Sequence, residues 1–257
     1  MAVRETEAIV IRVRKWGESN LIVTFYGRSC GKITAIAWRA RKQGSPFNIN
    51  LELFTYLHLT YYDKEPPREL GIINQTSVIK PFYELRGNIL KLSVASYLTE
   101  LVDMGVKGKE RNESLFELLL ATLHSLQNGC DPELLISFFE LHLLGILGYR
   151  LRLNTCTSCQ KEFIPDYSNT RKRLEIDLDC GGISCTSCLK NNGAPISYGI
   201  IAVMRYLERT EIGRVGNLRI SQAMREELRK AMSFYVFHLL GKKPKSADIL
   251  KKAIQNA

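Results

Sequence analysis

The first third of the chain is written in short runs of apolar and β-branched residues broken by polar turns. Glu7–Val13, Asn20–Tyr26 and Lys32–Trp38 are such runs, with the turn Arg14–Ser19 after the first and Gly31 before the third. Runs of this kind bounded by Gly and Ser predict successive strands of an antiparallel meander. Leu51–Tyr62 continues the alternation as one long strand, and Leu70–Ile79 supplies another before Pro81. Five short strands with no helical pattern between them predict a small closed barrel, for which an OB-fold is the economical choice.

After Pro81 the period lengthens. Leu85, Ile89, Leu92, Ser96 and Leu101 recur at helical spacing until Gly105 and Gly108. Asn112 is placed to cap a helix over Leu115–Leu126. Asp131 followed by Pro132 caps an apolar helix through Leu134, Phe138, Leu141, Leu144 and Leu147, which Gly148 closes. Helical spacing resumes at Ser197 and Ser221 and restarts briefly at Ser246. His142 lies inside the most apolar of these helices, with no second ligand at metal spacing, and reads as a core histidine; His58, His124 and His238 read the same way. The expected class is α+β: an OB-fold domain over 1–79 and a helical domain over 80–257, the latter interrupted at 153–190.

That interruption carries the most specific pattern in the chain. Cys156 and Cys159 form one Cys-x-x-Cys pair, Cys185 and Cys188 a second. A two-residue spacer lets both sulfurs of a tight turn face one ion, and two such turns complete a tetrahedral site, so the pattern predicts one Zn²⁺. Disulfides and thiol redox chemistry are the competing readings, but redox chemistry needs only one pair. Four thiolates fill the coordination sphere and leave no place for water or substrate, which makes the predicted role structural. Cys180 competes for a place, but the two-residue spacing favours Cys185 with Cys188. Cys30 and Cys130 read as small buried hydrophobes. Between the pairs, Phe163–Leu178 is polar, and its Arg171–Arg173 is as suited to a solvated loop tip as to phosphate.

The chain has 257 residues, 45% apolar and 24% charged, a composition typical of globular proteins. No apolar run approaches the ~18 residues of a membrane span and no segment has the layout of a signal peptide, so a cytoplasmic protein is expected. Its seven cysteines suit a reducing compartment. A net charge of +10 predicts a polyanionic partner. The charge gathers on the predicted barrel: Arg12, Arg14, Lys15 and Lys32 on strands and turns, then Arg39, Arg41 and Lys42 in a loop rooted at Trp38. Cations interleaved with Trp16, Phe25, Tyr26 and Trp38 suit single-stranded nucleic acid, with phosphates on the charges and bases on the rings. A solvated charge run around core aromatics is the plainer alternative. No phosphate-binding glycine loop, dinucleotide turn, deaminase His-x-Glu or serine elbow occurs, so no enzyme is predicted.

Taken together, these pieces resemble the bacterial recombination-mediator family RecO. Glu7–Ile11 with Gly17–Val23 looks like that family's opening strands, and Gly31–Ile33 followed by Ala37–Lys42 resembles its basic loop. Phe139–Tyr149 leading into Cys156 and Cys159, then Gly181–Ser184 before Cys185 and Cys188, is similar to the signature around its zinc ligands. Phe237–Ser246 resembles its C-terminal helix and following turn. The family's loop usually has Gly where Arg39 stands, and Cys180 is foreign to its pattern. The resemblance implies a nucleoid-associated, non-enzymatic mediator that binds single- and double-stranded DNA, anneals complementary strands and, with RecR, loads RecA onto strands coated by SSB. If the acidic SSB tail is bound directly, Lys242, Lys243 and Lys245 beside Leu239 and Leu240 offer a basic rim to an apolar patch; the same leucines suit packing against a neighbouring helix equally well. A zinc-ribbon RNA-binding or translation-associated OB-fold protein is the alternative.

Overall fold

The computed structural model describes residues 2–47, 50–63, 70–163, 174–189 and 193–256. Five strands, β1 (Ala2–Trp16), β2 (Asn20–Gly27), β3 (Gly31–Ala37), β4 (Tyr56–Asp63) and β5 (Leu70–Lys80), close into a barrel in the order β1-β2-β3-β5-β4. At 15 residues, β1 is long enough to serve two neighbours: its first half pairs with β4 and its second half with β2. The register shifts between Val10 and Arg12, where the strand changes partner. Such an irregularity bends and twists the strand, which is how a short sheet turns a barrel corner. Closure is completed by the one parallel contact, Thr34–Ile36 of β3 against Leu70–Ile72 of β5. This is the expected OB-type barrel, with Val10, Val23, Phe25, Ile33, Leu57 and Tyr61 among its inward-facing residues.

One predicted strand is shorter than expected. Leu51–Phe54 is a series of turns rather than the start of β4. Phe54 adopts φ 71°, donates its N–H to the Val10 carbonyl at 2.8 Å and is fully buried. The apolar pattern there records packing into the core from a loop, which mimics strand alternation over so few residues.

Packing gathers the described chain into two compact units, 1–127 with 245–257, and 128–244. The first adds to the barrel α1 (Tyr83–Arg86), α2 (Ile89–Gly105), α3 (Glu113–Gln127) and the returning C-terminal helix, α7 (Ser246–Gln255). The continuous helix expected from Leu85 is split at Gly87, and Asn88 caps α2 by accepting from the Lys91 N–H at 3.0 Å. Asn112 caps α3 as predicted, accepting from the Leu115 N–H at 3.0 Å.

The C-terminal helix has no cap of its own. Glu100 on α2 supplies one, its carboxylate accepting from the Ser246 N–H at 2.8 Å, the Lys245 N–H at 3.0 Å and the Ser246 hydroxyl at 2.6 Å. Burial alone would raise the Glu100 pKa, but those three donors and the Lys245 charge bring it below the ordinary glutamate value. A depressed folded-state pKa stabilises the fold above the unfolded-state value of about 4.3, and that contribution is lost as pH falls through the folded value. Glu100→Gln should therefore cost about 1 kcal/mol near pH 7, the usual scale of a lost cap. Thermal melts should show the gap to wild type closing below about pH 4; a gap independent of pH would rule out the carboxylate's charge as its cause.

The second unit is built on α4 (Pro132–Ile146), α5 (Tyr198–Arg209) and α6 (Gln222–Leu240), with a 3-10 turn over Ile212–Asn217. Asp131 caps α4 as predicted, accepting from Glu133 and Leu134 N–H groups at 3.1 Å, and also pairs with Arg225 on α6 at 2.7 Å. His142 is half-buried and satisfied: its Nε2 lies 3.2 Å from the Leu207 carbonyl, and burial lowers its pKa. His124, half-buried in the first unit, sits beside Lys80 Nζ at 3.1 Å. His58 and His238 are instead exposed, which corrects the core reading for both; His58 falls on the solvent side of β4, between the buried Leu57 and Leu59. Among the described residues no helix is long and apolar enough to cross a membrane.

Candidate metal centre and nucleic-acid interface

Between α4 and α5 lies a small sheet of β6 (Arg152–Cys156), β7 (Leu174–Asp177), β8 (Gly182–Ser184) and β9 (Ala194–Ile196), in the order β6-β8-β7-β9. β6 and β8 are parallel neighbours, and each runs directly into one cysteine pair. Parallel pairing therefore delivers both pairs to the same end of the sheet. Each pair closes a tight turn: Gln160 N–H donates to the Cys156 carbonyl at 3.1 Å, and Cys188 N–H to the Cys185 carbonyl at 2.8 Å. The two strands approach so closely that a Cβ on Gly182 would lie 2.7 Å from Thr157 Cγ2 and 2.9 Å from the Arg152 carbonyl oxygen, so only glycine serves there.

All four sulfurs lie within 4.8 Å of one another, and Cys159 and Cys185 are 3.7 Å apart. A tetrahedral ion with metal–sulfur bonds near 2.3 Å needs sulfur–sulfur edges of about 3.8 Å. The donor set and its span fit such an ion, and the cysteines are free thiols rather than disulfides. Burial would raise the Cys156 pKa, but N–H donors from Cys159, Cys185 and Ser158 prevail and bring it down to about 6. Cys188, hydrogen-bonded to the neighbouring sulfurs of Cys185 and Cys159, is pushed up to about 12. Backbone N–H groups aimed at Cys156 thus favour its thiolate, and a divalent cation would displace the protons its neighbours retain.

Cys180 stands outside the quartet; it is exposed, and its carbonyl accepts from Arg152 Nη2 at 2.8 Å. Cys30 and Cys130 are half-buried rather than fully buried. The polar stretch between the pairs conceals a strand: Leu174–Asp177 is wholly buried as β7, while 164–173, including Arg171–Arg173, lies outside the described residues. Asp177 is the residue that sequence reasoning missed. At 1% exposure it accepts from Thr157 Oγ1 at 3.2 Å, Ser184 Oγ at 3.4 Å and the N–H groups of Asp179 and Cys180 at 3.1 Å. It joins the residue after Cys156 to the residue before Cys185. An aspartate in a polar run carries no sign of that role.

On the barrel, the register places Trp16, the last residue of β1, opposite Asn20, and Leu21 opposite Ala37, the last residue of β3, with Trp38 following in the turn. The two indoles are 56% and 53% exposed, well above what a core role allows. Asn20 accepts the Arg39 N–H on its Oδ1 at 2.8 Å. Arg41 fastens the loop to the β1–β2 turn, through its N–H to the Ser19 carbonyl at 2.9 Å and its Nη1 to the Glu18 carbonyl at 3.0 Å. Arg39 sits at φ 55°, a conformation that glycine reaches without the strain of a Cβ. Arg14, Lys15, Arg39, Arg41 and Lys42 are all exposed at this rim.

Arg12 and Lys32 are placed differently. Both meet Asp103 on α2, Arg12 Nη1 at 3.2 Å and Lys32 Nζ at 3.3 Å, and Lys32 also donates to the Asp103 carbonyl at 2.7 Å. Phe25 and Tyr26 are fully buried, which removes them as stacking platforms. Phe25 points into the barrel. Tyr26 faces outward but is covered, donating its hydroxyl to the Asn112 carbonyl at 3.3 Å.

Comparison with known families settles the kinship. The family model described as "Recombination protein O N terminal" matches residues 1–82, and that described as "Recombination protein O C terminal" matches residues 86–248. The chain belongs to the RecO family. Among its relatives, the DNA repair protein RecO of Syntrophus aciditrophicus is 32% identical over 253 residues, covering 97% of this chain and 95% of its own. That of Symbiobacterium thermophilum is 30% identical, covering 97% of both chains, and that of Bacillus mycoides 29%, covering 90% of both. The RecO N-terminal match ends just past β5, and the RecO C-terminal match takes in both cysteine pairs.

Proposed function

We propose that this chain is a DNA repair and recombination mediator whose barrel grips single-stranded DNA at the rim that carries Trp16 and Trp38. The observation that carries the reading is that two indoles, Trp16 at the end of β1 and Trp38 just after β3, are exposed among Arg14, Lys15, Arg39, Arg41 and Lys42. Rings at that rim stack bases irrespective of sequence, while the cations meet phosphates. Arg12 and Lys32, each sharing Asp103, contribute field more than contact. Residues 1–79 act as the DNA-binding domain, and 80–257 as the helical domain with its metal-bearing insertion at 153–190. The ion at Cys156, Cys159, Cys185 and Cys188 is a structural Zn²⁺, since four thiolates suit zinc and close its coordination sphere.

In this reading the protein binds duplex as well as single strands, anneals complementary strands and, with RecR, loads RecA onto SSB-coated DNA in the cytoplasm at the nucleoid, without catalysing a reaction. The exposed Lys242 and Lys243 after α6 are the proposed contact for the acidic SSB tail; Lys245, also exposed, lies against Glu100. The test is a titration with single-stranded DNA, duplex DNA and RNA of one sequence at roughly 50 and 200 mM salt. Single-stranded DNA should bind at least as tightly as duplex, and both should weaken steeply with salt. Preference for structured RNA would overturn the assignment in favour of an RNA-binding factor.

A further inference from the structure

We propose that the cleft along β6 in the second unit is a further phosphate-binding site, which takes the backbone of a nucleic-acid strand independently of the barrel rim. The proposal rests on the reading of this chain as a nucleic-acid-binding protein and adds a second place where a strand is held.

The cleft has a volume of about 590 Å³ and is walled by 150–155 with Glu208 and Arg209 at the end of α5. Arg150, Arg152 and Arg209 are all exposed there, against, among the described residues that line it, the single carboxylate of Glu208. Among the described residues Glu208 engages the Nε of Arg150, at 3.4 Å, and Arg152 commits one Nη2 donor to the Cys180 carbonyl at 2.8 Å. Each guanidinium has five N–H donors in a fixed fork, more than these contacts use, and that fork matches the oxygens of a phosphate.

An edge strand beside a basic cleft could instead accept an extended acidic peptide by strand addition, which needs a row of free backbone groups. That row is already occupied here. Arg205 donates Nε and Nη2 to the Leu153 carbonyl at 3.1 and 2.6 Å. Phe163 N–H takes the Asn154 carbonyl, and Cys156 N–H is given to the Lys161 carbonyl, both at 2.9 Å. What the cleft still offers is side-chain cations, and the ligand they suit is a run of phosphodiesters. The consequence is mechanical. Two strands brought together for pairing repel each other, and a chain with one cationic site can neutralise only one of them; a second site lets the same molecule hold both.

The experiment uses the full chain in four forms: wild type, Arg39→Ala/Arg41→Ala/Lys42→Ala, Arg150→Glu/Arg209→Glu, and the two sets combined. Arg150 and Arg209 are exposed, so the folded state and metal content should be unchanged; if melting shows otherwise, Arg150→Gln/Arg209→Gln takes their place. Anisotropy titrations with a labelled single strand are read across a salt series. The barrel variant should keep a weak, salt-sensitive binding, and adding the arginine changes should reduce it at least tenfold and flatten its salt slope by about 1.4, two contacts' worth. Residual binding that is indifferent to the arginine changes overturns the cleft site. So does arginine-dependent capture of a poly-glutamate peptide with unaltered DNA binding, which would make the cleft a peptide site. If the barrel changes alone weaken nothing, the barrel assignment fails, and the cleft is judged by whether Arg150→Glu/Arg209→Glu weakens wild-type binding.

Discussion

Cys185→Ser is expected to empty the metal site and unfold the β6-β8-β7-β9 sheet, while Cys180→Ser keeps full metal content. The asymmetry follows from the geometry: Cys185 Sγ is 3.7 Å from Cys159 Sγ within the quartet, whereas Cys180 lies outside it. Serine at 185 would leave three thiolates and a hydroxyl that ionises poorly near neutral pH. Because a structural site of this kind scarcely exists in the unfolded chain, metal affinity is folding free energy, and its loss should cost on the order of 4 kcal/mol or more. Elemental analysis of the purified variants, with circular dichroism melts alongside, decides the matter; metal lost from Cys180→Ser and kept by Cys185→Ser would transfer the ligand assignment. Acidification should release the ion from wild type, because protons compete for the sulfurs it needs.

Changing Arg39, Arg41 and Lys42 together to Ala should flatten the salt dependence of single-strand binding without lowering thermal stability. With about four phosphate contacts at the rim, the rim's share of the salt dependence of log affinity should be a slope near −3, since each contact contributes about 0.7. Three lost contacts would reduce that slope by about 2. Stability should hold because the side chains of Arg39 and Lys42 are exposed, and the loop is fastened largely through backbone groups that alanine retains. Arg39→Gly is the sharper control: it removes one charge and also releases the φ 55° strain, so it should bind more weakly while melting higher. A slope unchanged in the triple variant would mean that the loop is a solvated face.

The barrel was legible because alternation over short runs survives in any sheet with one buried side, and β2 and β3 fall where the pattern places them. The caps were legible for a similar reason. Asn112 and Asp131 each satisfy N–H groups only two or three residues onward, so the local sequence holds everything the interaction needs. Phe54 misled because a loop that packs into a core carries the same apolar residues as a strand. Glu100 had no local mark at all, since its partners lie 145 and 146 residues away.

The candidate sites divide along the same line. Two Cys-x-x-Cys pairs could be read as a tetrahedral ligand set because the spacing within each pair is itself the geometric condition, a tight turn with two sulfurs on one side. That the two turns meet depends on the parallel pairing of β6 with β8 and on Asp177 between them, contacts that form only when distant segments fold together. The cluster of cations around residues 12–42 was likewise plain in the sequence, but charge density does not say which side chains are free. Tertiary packing decided that Arg12 and Lys32 would share Asp103 and that Phe25 and Tyr26 would be buried. It left Trp16 and Trp38 open at the ends of β1 and β3, because which side chains are covered is a relation between segments that no single run of sequence contains.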